Sequence, residues 1–415
     1  GGLDAVILTG YPGTIASAWQ QAGRAGRGRL PALSMMVAFD NPLDQFLMNH
    51  PDYFFARPHE QCVIDPYNRR VMAQHILCAA YEKALTSRDL SRCGPGAQEA
   101  AAALASQEKL ILRAGKWYYT GGGYPAAEVN IRSASADAVT IVDQNDRLLG
   151  TVESGLAARS VHPGAVYLHQ GETYVVDSLD LERRAATVHA SDAHYYTESR
   201  ETFHLTILNK RSQSCDSRLR SWFGDVEVTS QVVGYRRKGL YNDVILAVED
   251  LDLPEQSFET QALWFTVPPE ITCRLLRSGA DLDGSIHAIE HAAIGLMPLF
   301  CSCDRWDLGG LSHREHPDTG ESTIFIFDAI PGGIGLAESA HSRLHQLLLS
   351  VCALITKCPC AEGCPSCIQS PKCGNNNEPL HKGGARYLLE LLTGKEGTLK
   401  AAEPELFPLP QEMKI

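Results

Sequence analysis

The sequence predicts a multidomain chain of α/β and α+β architecture, and three observations carry that expectation. A β-branched run, a glycine turn and an amphipathic helix open the chain and lead into a second apolar run. A long middle stretch is cut into alternating segments by Asn, Asp, Gly and Gln turns. A tight cysteine cluster then sits among helical periodicity near the end. With 415 residues, two to four domains are expected at roughly 150 residues each. A hydrophobic fraction of 44% with 21% charged residues excludes a disordered chain.

In order, Ala5 to Leu8 is expected as a buried strand, ended by Gly10, Pro12 and Gly13. Thr14 is placed to cap a helix running to about Gly26, with Ile15, Ala18, Trp19 and Ala22 on its apolar face. Leu33 to Phe39 is a second strand, completing part of a parallel α/β unit. Pro42, Pro51, Pro58 and Pro66 punctuate a connector, followed by a helix near Arg69 to Leu85, a break at "SRCGPG" and a helix over Gln98 to Leu104. "EKLILRAGKWYYTGG" reads as a hairpin, so 61–127 is expected to be a winged helix. From about Glu128 to Val248 mostly short strands are expected, with turns at "DQND" and "HQGE". After Leu282 the pattern alternates between helices, the strand "STIFIFDAIPGG" and a last helix near Gly384 to Leu392.

Composition narrows function. The 37 Lys and Arg against 49 Asp and Glu give a formal charge of −12, which excludes a globally basic nucleic-acid coat; any phosphate contact is local. No apolar run reaches the ~18 residues of a membrane span, and no signal pattern opens the chain. The 13 cysteines are unevenly spread, with five between Cys358 and Cys373. That distribution points to a reducing, cytoplasmic setting with buried thiols and one metal knot, not a disulfide scaffold.

The segment "WQQAGRAGR" places Gln20, Arg24 and Arg27 at i, i+4 and i+7, one face of the expected helix. Gly23 and Gly26 leave that surface uncluttered for close approach. Two guanidiniums so placed suit the oxygens of a triphosphate. A merely solvated helix end is the plain alternative for two arginines alone.

The full pattern Q-x-x-G-R-x-G-R after a strand, turn and helix resembles motif VI of the superfamily 2 helicases. The resemblance implies that Gln20, Gly23, Arg24, Gly26 and Arg27 face ATP, and that residues 1–60 are the C-terminal part of a second RecA-like domain. Gly1 is not a methionine and "GGLDAVILTGYP" reads as the interior of a domain, so a fragment is expected. Lys116 in "RAGKW" and Lys395 in "LTGKE" lack the glycine spacing and hydroxyl residue of a P-loop, and no DEAH-like box occurs. The chain alone is therefore expected not to hydrolyse ATP.

In "CPCAEGCPSCIQSPKCGNNNEPLHK" the thiols are spaced C-x-C-x3-C-x2-C-x5-C, and interspersed Pro and Gly prevent regular structure. Such a loop suits a tetrahedral zinc ion, whose binding free energy fixes it. Cys360, Cys364, Cys367 and Cys373 are the expected ligands, with Cys358 able to displace any of them. Free thiols and an iron–sulfur cluster remain the alternatives.

"GCPSCIQSPKCGNNNEPLHK" resembles the zinc-binding domain of the MrfA-type DNA-repair helicases, and "NPLDQFLMNHPDYFF", "WYYTGGGYPAAEVNIRSAS", "EHAAIGLMPLF" and "CDRWDLGG" extend the likeness along the chain. The resemblance implies ATP-driven 3′-to-5′ movement on single-stranded DNA with duplex unwinding, in a monomer that uses ATP, Mg2+ and structural Zn2+. The resemblance implies the winged helix and the zinc-binding domain, and together with the residue pattern the expected division is 61–127 winged helix, 128–270 β-rich domain, 271–395 zinc-binding domain and 396–415 flexible tail. Ile330 stands where the family's turn before the glycines has histidine.

Other features carry less. "HAIEH", His287 to His291, fits H-x-x-E-H of some zinc proteases, but its apolar helix favours packed histidines. Cys301 and Cys303 read as buried thiols, and Asp304, Arg305 and Asp307 as a possible ion network. The basic runs Arg236–Lys238, Lys210–Arg211 and Arg218/Arg220 read as solvated or paired faces. Trp117, Tyr118 and Tyr119 suit base stacking or, better, packing under the wing. The rival to a helicase part is a non-enzymatic, zinc-dependent DNA-binding module.

Overall fold

The computed structural model describes residues 3–27, 31–60, 65, 67–129, 138–215, 218–242 and 244–394, so the expected tail at 396–415 lies outside the described residues. Strand β1 (Ala5–Thr9), helix α1 (Ile15–Ala22) and strand β2 (Leu33–Val37) form the expected strand, helix and strand, with β1 and β2 parallel in the register Ala5 to Leu33, but β1 is not the buried strand expected: only Leu8 is buried on it. Thr14 caps α1 by accepting from Ser17 N at 3.0 Å. Leu3, Ile7, Leu33, Met35 and Val37 stay exposed, so this two-stranded sheet keeps an apolar surface open.

The proline-rich connector holds two short helices, α2 (Pro42–Asn49) and α3 (Pro51–Phe55). Each begins on a proline, whose missing N–H is no loss at a first helical position. Asp44, buried on α2, accepts from Phe39 N at 2.7 Å and Tyr11 N at 3.2 Å, tying the end of β2 to the turn before α1. Phe46, Leu47 and Tyr53 join the main core of the C-terminal part.

Next come α4 (Arg69–Glu82), β3 (Leu85–Thr86), α5 (Ser87–Cys93), α6 (Ala97–Ser106), β4 (Leu110–Arg113) and β5 (Lys116–Tyr119), with sheet order β3-β5-β4. The expected break begins later than "SRC": those residues end α5, which a reciprocal Thr86–Asp89 capping box starts. Ala114 (φ 49°) and Gly115 (φ 73°) make the two-residue hairpin turn, where both positions need positive φ. Trp117 and Tyr119 pack against a core of Met72, Ile76, Leu90, Ala101 and Leu104, while Tyr118 is exposed.

The strands β6 (Ala138–Asp143), β7 (Leu148–Glu153), β8 (Val166–His169), β9 (Glu172–Asp180) and β10 (Ala185–Ala190) form a five-stranded sheet in the order β7-β6-β10-β9-β8, with α7 (Ser154–Ser160) after β7. The expectation of mostly short strands then fails. β11 (Tyr195–Cys215) and β12 (Arg220–Gly239) are a ladder of 21 and 20 residues. β11 is a bulged edge strand rich in polar residues, so apolar alternation does not betray its length; the backbone ladder to β12 sustains it.

β13 (Ile245–Asp250) and β14 (Gln256–Val267) also pair with β12, and after α8 (Pro269–Arg277) and α9 (Leu282–Leu296) come β15 (Leu308–His313) and β16 (Ser322–Asp328). β14 pairs with β16, so one sheet, in the order β11-β12-β14-β16-β15, runs across the division expected at residue 270. Alternation along β14 sends Leu263 and Phe265 into the core with α9, and Ala262 and Trp264 into a second cluster with Val226, Val228 and Phe325. Helices α10 (Leu336–His341), α11 (Leu344–Lys357) and α12 (Lys382–Thr393) complete the main core. Among the described residues, no helix is long and apolar enough to cross a membrane.

Candidate metal centre and arginine edge

Glycine decides the end of α1. Ala22 is its last residue, Gly23 N closes on Trp19 O at 2.8 Å, and Gly26 sits at φ 73°. Two glycines in four residues forfeit the helix, and Ala25 instead bridges to Leu3. The helical face expected to carry Gln20, Arg24 and Arg27 therefore does not form: Gln20 is on α1, whereas Arg24 and Arg27 follow it on a turn and an extended segment. All three are exposed, and Arg27 Nε donates back to Gly23 O at 3.2 Å. Arg24 makes no side-chain hydrogen bond or ion pair among the described residues. Gly23 and Gly26 are exposed beside them.

The cysteine knot lies between α11 and α12. Cys358, Cys360, Cys364 and Cys367 bring their sulfurs together, with Sγ–Sγ separations of 3.5, 3.5, 3.6 and 3.8 Å along the cluster. Four thiolates around zinc at about 2.3 Å each lie about 3.8 Å apart along a tetrahedron's edges, so the spacing fits that ion. The expected quartet is corrected in one member: Cys358 belongs to this group and Cys373 does not. The reason is the chain's path, since Cys367 ends a turn closed on Cys364 and the chain then carries Cys373 toward α9.

Lys382 completes the surroundings. Its ammonium, on a nearly buried side chain at the start of α12, donates to Cys358 O at 2.8 Å, to Cys360 O and to Cys360 Sγ at 3.1 Å. Burial works to raise the Cys360 thiol, but Lys382 and the neighbouring sulfurs bring it down to about 7. Burial pushes Cys367 up.

Cys373 faces the α9 histidines instead. Its sulfur lies 3.6 Å from His287 Nε2, and the ligand atoms of His287, His291 and Cys373 all lie within 4.8 Å of one another. His287 Nδ1 lies 2.9 Å from Pro379 O, and His291 Nδ1 2.9 Å from Ile368 O. Burial opposes both charged forms, yet their mutual hydrogen bond lowers Cys373 to about 6 and raises His287 to about 9. The H-x-x-E-H pattern signalled the two histidines; their third companion, 86 residues from His287 in sequence, had no local signal. Lys382 was equally invisible.

The remaining features are structural. Cys301 and Cys303 are buried thiols 3.8 Å apart. Asp304 and Asp307 form a capping box around a short turn in place of an ion network with Arg305. Arg237 pairs with Glu249, Lys238 with Glu198, Arg220 with Glu321 and Arg211 with Asp225, so the basic runs are largely neutralised within the fold. The turn holding Ile330 is organised by Asp328, whose fully buried carboxylate accepts from the backbone N–H groups of Ile334, Gly335, Leu336 and Ala337 at 2.7 to 3.2 Å.

Comparisons with known proteins agree with this layout. The MrfA Zn-binding domain family matches residues 289–368, and the family described as "ATP-dependent helicase HRQ1, winged helix domain" matches residues 64–134. The uncharacterized ATP-dependent helicase YprA of Bacillus subtilis is 35% identical over 382 residues, covering 89% of this chain and 49% of that protein. A crystal structure of the DUF1998 helicase MrfA aligns with a TM-score of 0.64 at 32% identity, over 94% of this chain and 54% of that one. MrfA bound to DNA and AMPPNP aligns with a TM-score of 0.50 at 32% identity, over 94% and 50%. The chain thus spans about half the length of these relatives. The MrfA-type zinc-binding domain and its four-cysteine cluster support zinc as the ion of this centre. The chain thus carries a winged helix of the HRQ1 type and a zinc-binding domain of the MrfA type, and it is similar to MrfA along nearly its whole length.

Proposed function

We propose that this chain is the C-terminal part of an ATP-dependent 3′-to-5′ DNA helicase that serves DNA repair in the cytoplasm as a monomer. One observation carries the reading: Arg24 and Arg27 stand exposed, with Arg24 uncommitted among the described residues, at the edge of a parallel two-stranded sheet in a chain that aligns with MrfA bound to DNA and AMPPNP. In this reading a partner lobe holds the P-loop and the DEAH-type box, and presents ATP and Mg2+ to that edge. Arg24 and Arg27 then stabilise the charge that develops on the transferred phosphoryl group. Gln20 orients the γ-phosphate or the arginines, and Gly23 and Gly26 let the nucleotide approach the backbone. The open apolar surface of β1 and β2 is where the rest of the RecA-like domain packs. Zn2+ at Cys358, Cys360, Cys364 and Cys367 supplies no chemistry beyond holding the loop between α11 and α12. The winged helix, with Tyr118 exposed on its wing, guides single-stranded and duplex DNA.

The experiment is an Arg24→Ala variant of the full-length protein. DNA-stimulated ATP hydrolysis and unwinding should be lost while DNA binding persists; retained unwinding refutes the assigned role. The 415-residue chain by itself should show no DNA-stimulated ATPase, and turnover by it contradicts the division of labour. The absence of a P-loop pattern from these 415 residues favours a second reading, a non-enzymatic zinc-dependent DNA-binding module. A reading frame that continues upstream into a P-loop and DEAH-type box decides for the helicase.

A further inference from the structure

We propose that His287, His291 and Cys373 form a second zinc site, separate from the four-cysteine centre, that fastens α9 to the segment following the cysteine knot and leaves a fourth coordination position open to solvent.

The hydrogen bonds around the two imidazoles point to a cation. Each Nδ1 is engaged with a backbone carbonyl, of Pro379 for His287 and of Ile368 for His291. A carbonyl only accepts, so each Nδ1 carries a proton; a cation that displaces the proton shared between His287 Nε2 and Cys373 leaves both rings neutral, each with its Nε2 lone pair free for the ion. A thiol has one proton and satisfies one such acceptor. Asn377 N donates to the same sulfur at 3.2 Å, a contact that suits a thiolate. Two imidazole nitrogens and a sulfur that receives a backbone N–H converge as a donor set in which a cation can take the place of the proton between His287 and Cys373. The carbonyl bonds are also the outer support that metal-binding histidines commonly have, fixing tautomer and ring orientation.

The dimensions agree. Zinc at about 2.3 Å from sulfur and about 2.0 Å from imidazole nitrogen places those two atoms about 3.5 Å apart in a tetrahedron; Cys373 Sγ and His287 Nε2 are 3.6 Å apart. His291 and Cys373 are buried, whereas His287 is half-buried and all three line a cleft of about 950 Å³. Three protein donors with an open side match the coordination of zinc sites that keep an exchangeable water. Glu290, buried on the same helix, lines the same cleft. Two neutral imidazoles and one thiolate leave the ion a net positive charge, in contrast to the dianionic four-thiolate centre beside Lys382.

The test is metal content and ligand type in the 415-residue chain purified from zinc-supplemented cells and dialysed against metal-free buffer. Two zinc ions per chain are expected, falling to one in Cys373→Ala and in His291→Ala, with two retained in a control at the exposed His345. X-ray absorption on the unaltered chain should show a mixed sulfur and nitrogen shell. That measurement stands even if the variants misfold. One zinc ion per chain with a sulfur-only shell overturns the proposal, as does retention of two ions by well-folded Cys373→Ala and His291→Ala variants.

Discussion

Replacing Lys382 with methionine isolates one electrostatic contribution to the four-cysteine centre. Methionine keeps the aliphatic stem, which is nearly buried, and removes the ammonium that donates to Cys358 O, Cys360 O and Cys360 Sγ. A zinc ion held by four thiolates carries a net charge of −2, so the ammonium is its nearest compensation. Unit charges about 4 Å apart interact by about 4 kcal/mol at an effective dielectric of about 20. Water recovers part of this in the variant, and one hydrogen bond to a charged group contributes about 1.5–3 kcal/mol. A loss of about 3 kcal/mol in zinc binding follows, about 100-fold in affinity, at the upper end of the 10–100-fold typical when an outer partner of a metal site is removed. The assay is competition for zinc against a chromophoric chelator, with Lys83→Met as the exposed control. An affinity within twofold of the unaltered chain, in a variant whose circular dichroism is unchanged, refutes the reasoning.

Three further outcomes are expected. Arg24→Ala in the full-length protein should lower DNA-stimulated ATP hydrolysis by about 10³-fold or more, read by phosphate release at saturating DNA. Trp264 is fully buried, and its indole N–H has no hydrogen-bond partner among the described residues; Trp264→Ala should cost about 3–5 kcal/mol, whereas Trp264→Phe, which keeps much of the volume and drops that donor, should cost under about 1.5 kcal/mol, both read from denaturant midpoints. Burial holds His162 and His316 below the usual histidine range, so both are neutral in the folded chain. Their contribution to stability is complete above about pH 6.5 and declines as pH falls from there toward the folded values, because the unfolded chain takes up protons first. The thermal midpoint should drop between pH 7 and pH 5, and by less in His162→Gln, whose amide can still donate to Pro163 O in place of the ring Nδ1.

Sequence alone determined whatever depends on neighbours along the chain. The strand, turn and helix at the start followed from β-branched residues, Gly10, Gly13 and the Thr14 cap. The wing hairpin followed from Ala114 and Gly115, and the metal knot from cysteines spaced by turn residues. These features rest on local dihedral preference and short loop closure, which a few residues specify. The same local reading misjudged the end of α1, because it extended the helical period through Gly23 and Gly26, where backbone freedom and the bridge from Ala25 to Leu3 win.

Tertiary structure decided what depends on contacts between distant segments. Which four cysteines gather is set by the direction in which the chain leaves Cys367, not by spacing, and this is why Cys358 is in and Cys373 is out. Lys382 reaches the centre only because α12 packs on α9 and α11. β11 owes its 21 residues to pairing with β12, since its own polar residues carry no strand signal on an exposed edge. Side-chain chemistry is written in the sequence, but which groups share a site is settled by packing, where pairs far apart in the chain meet only once the core has closed.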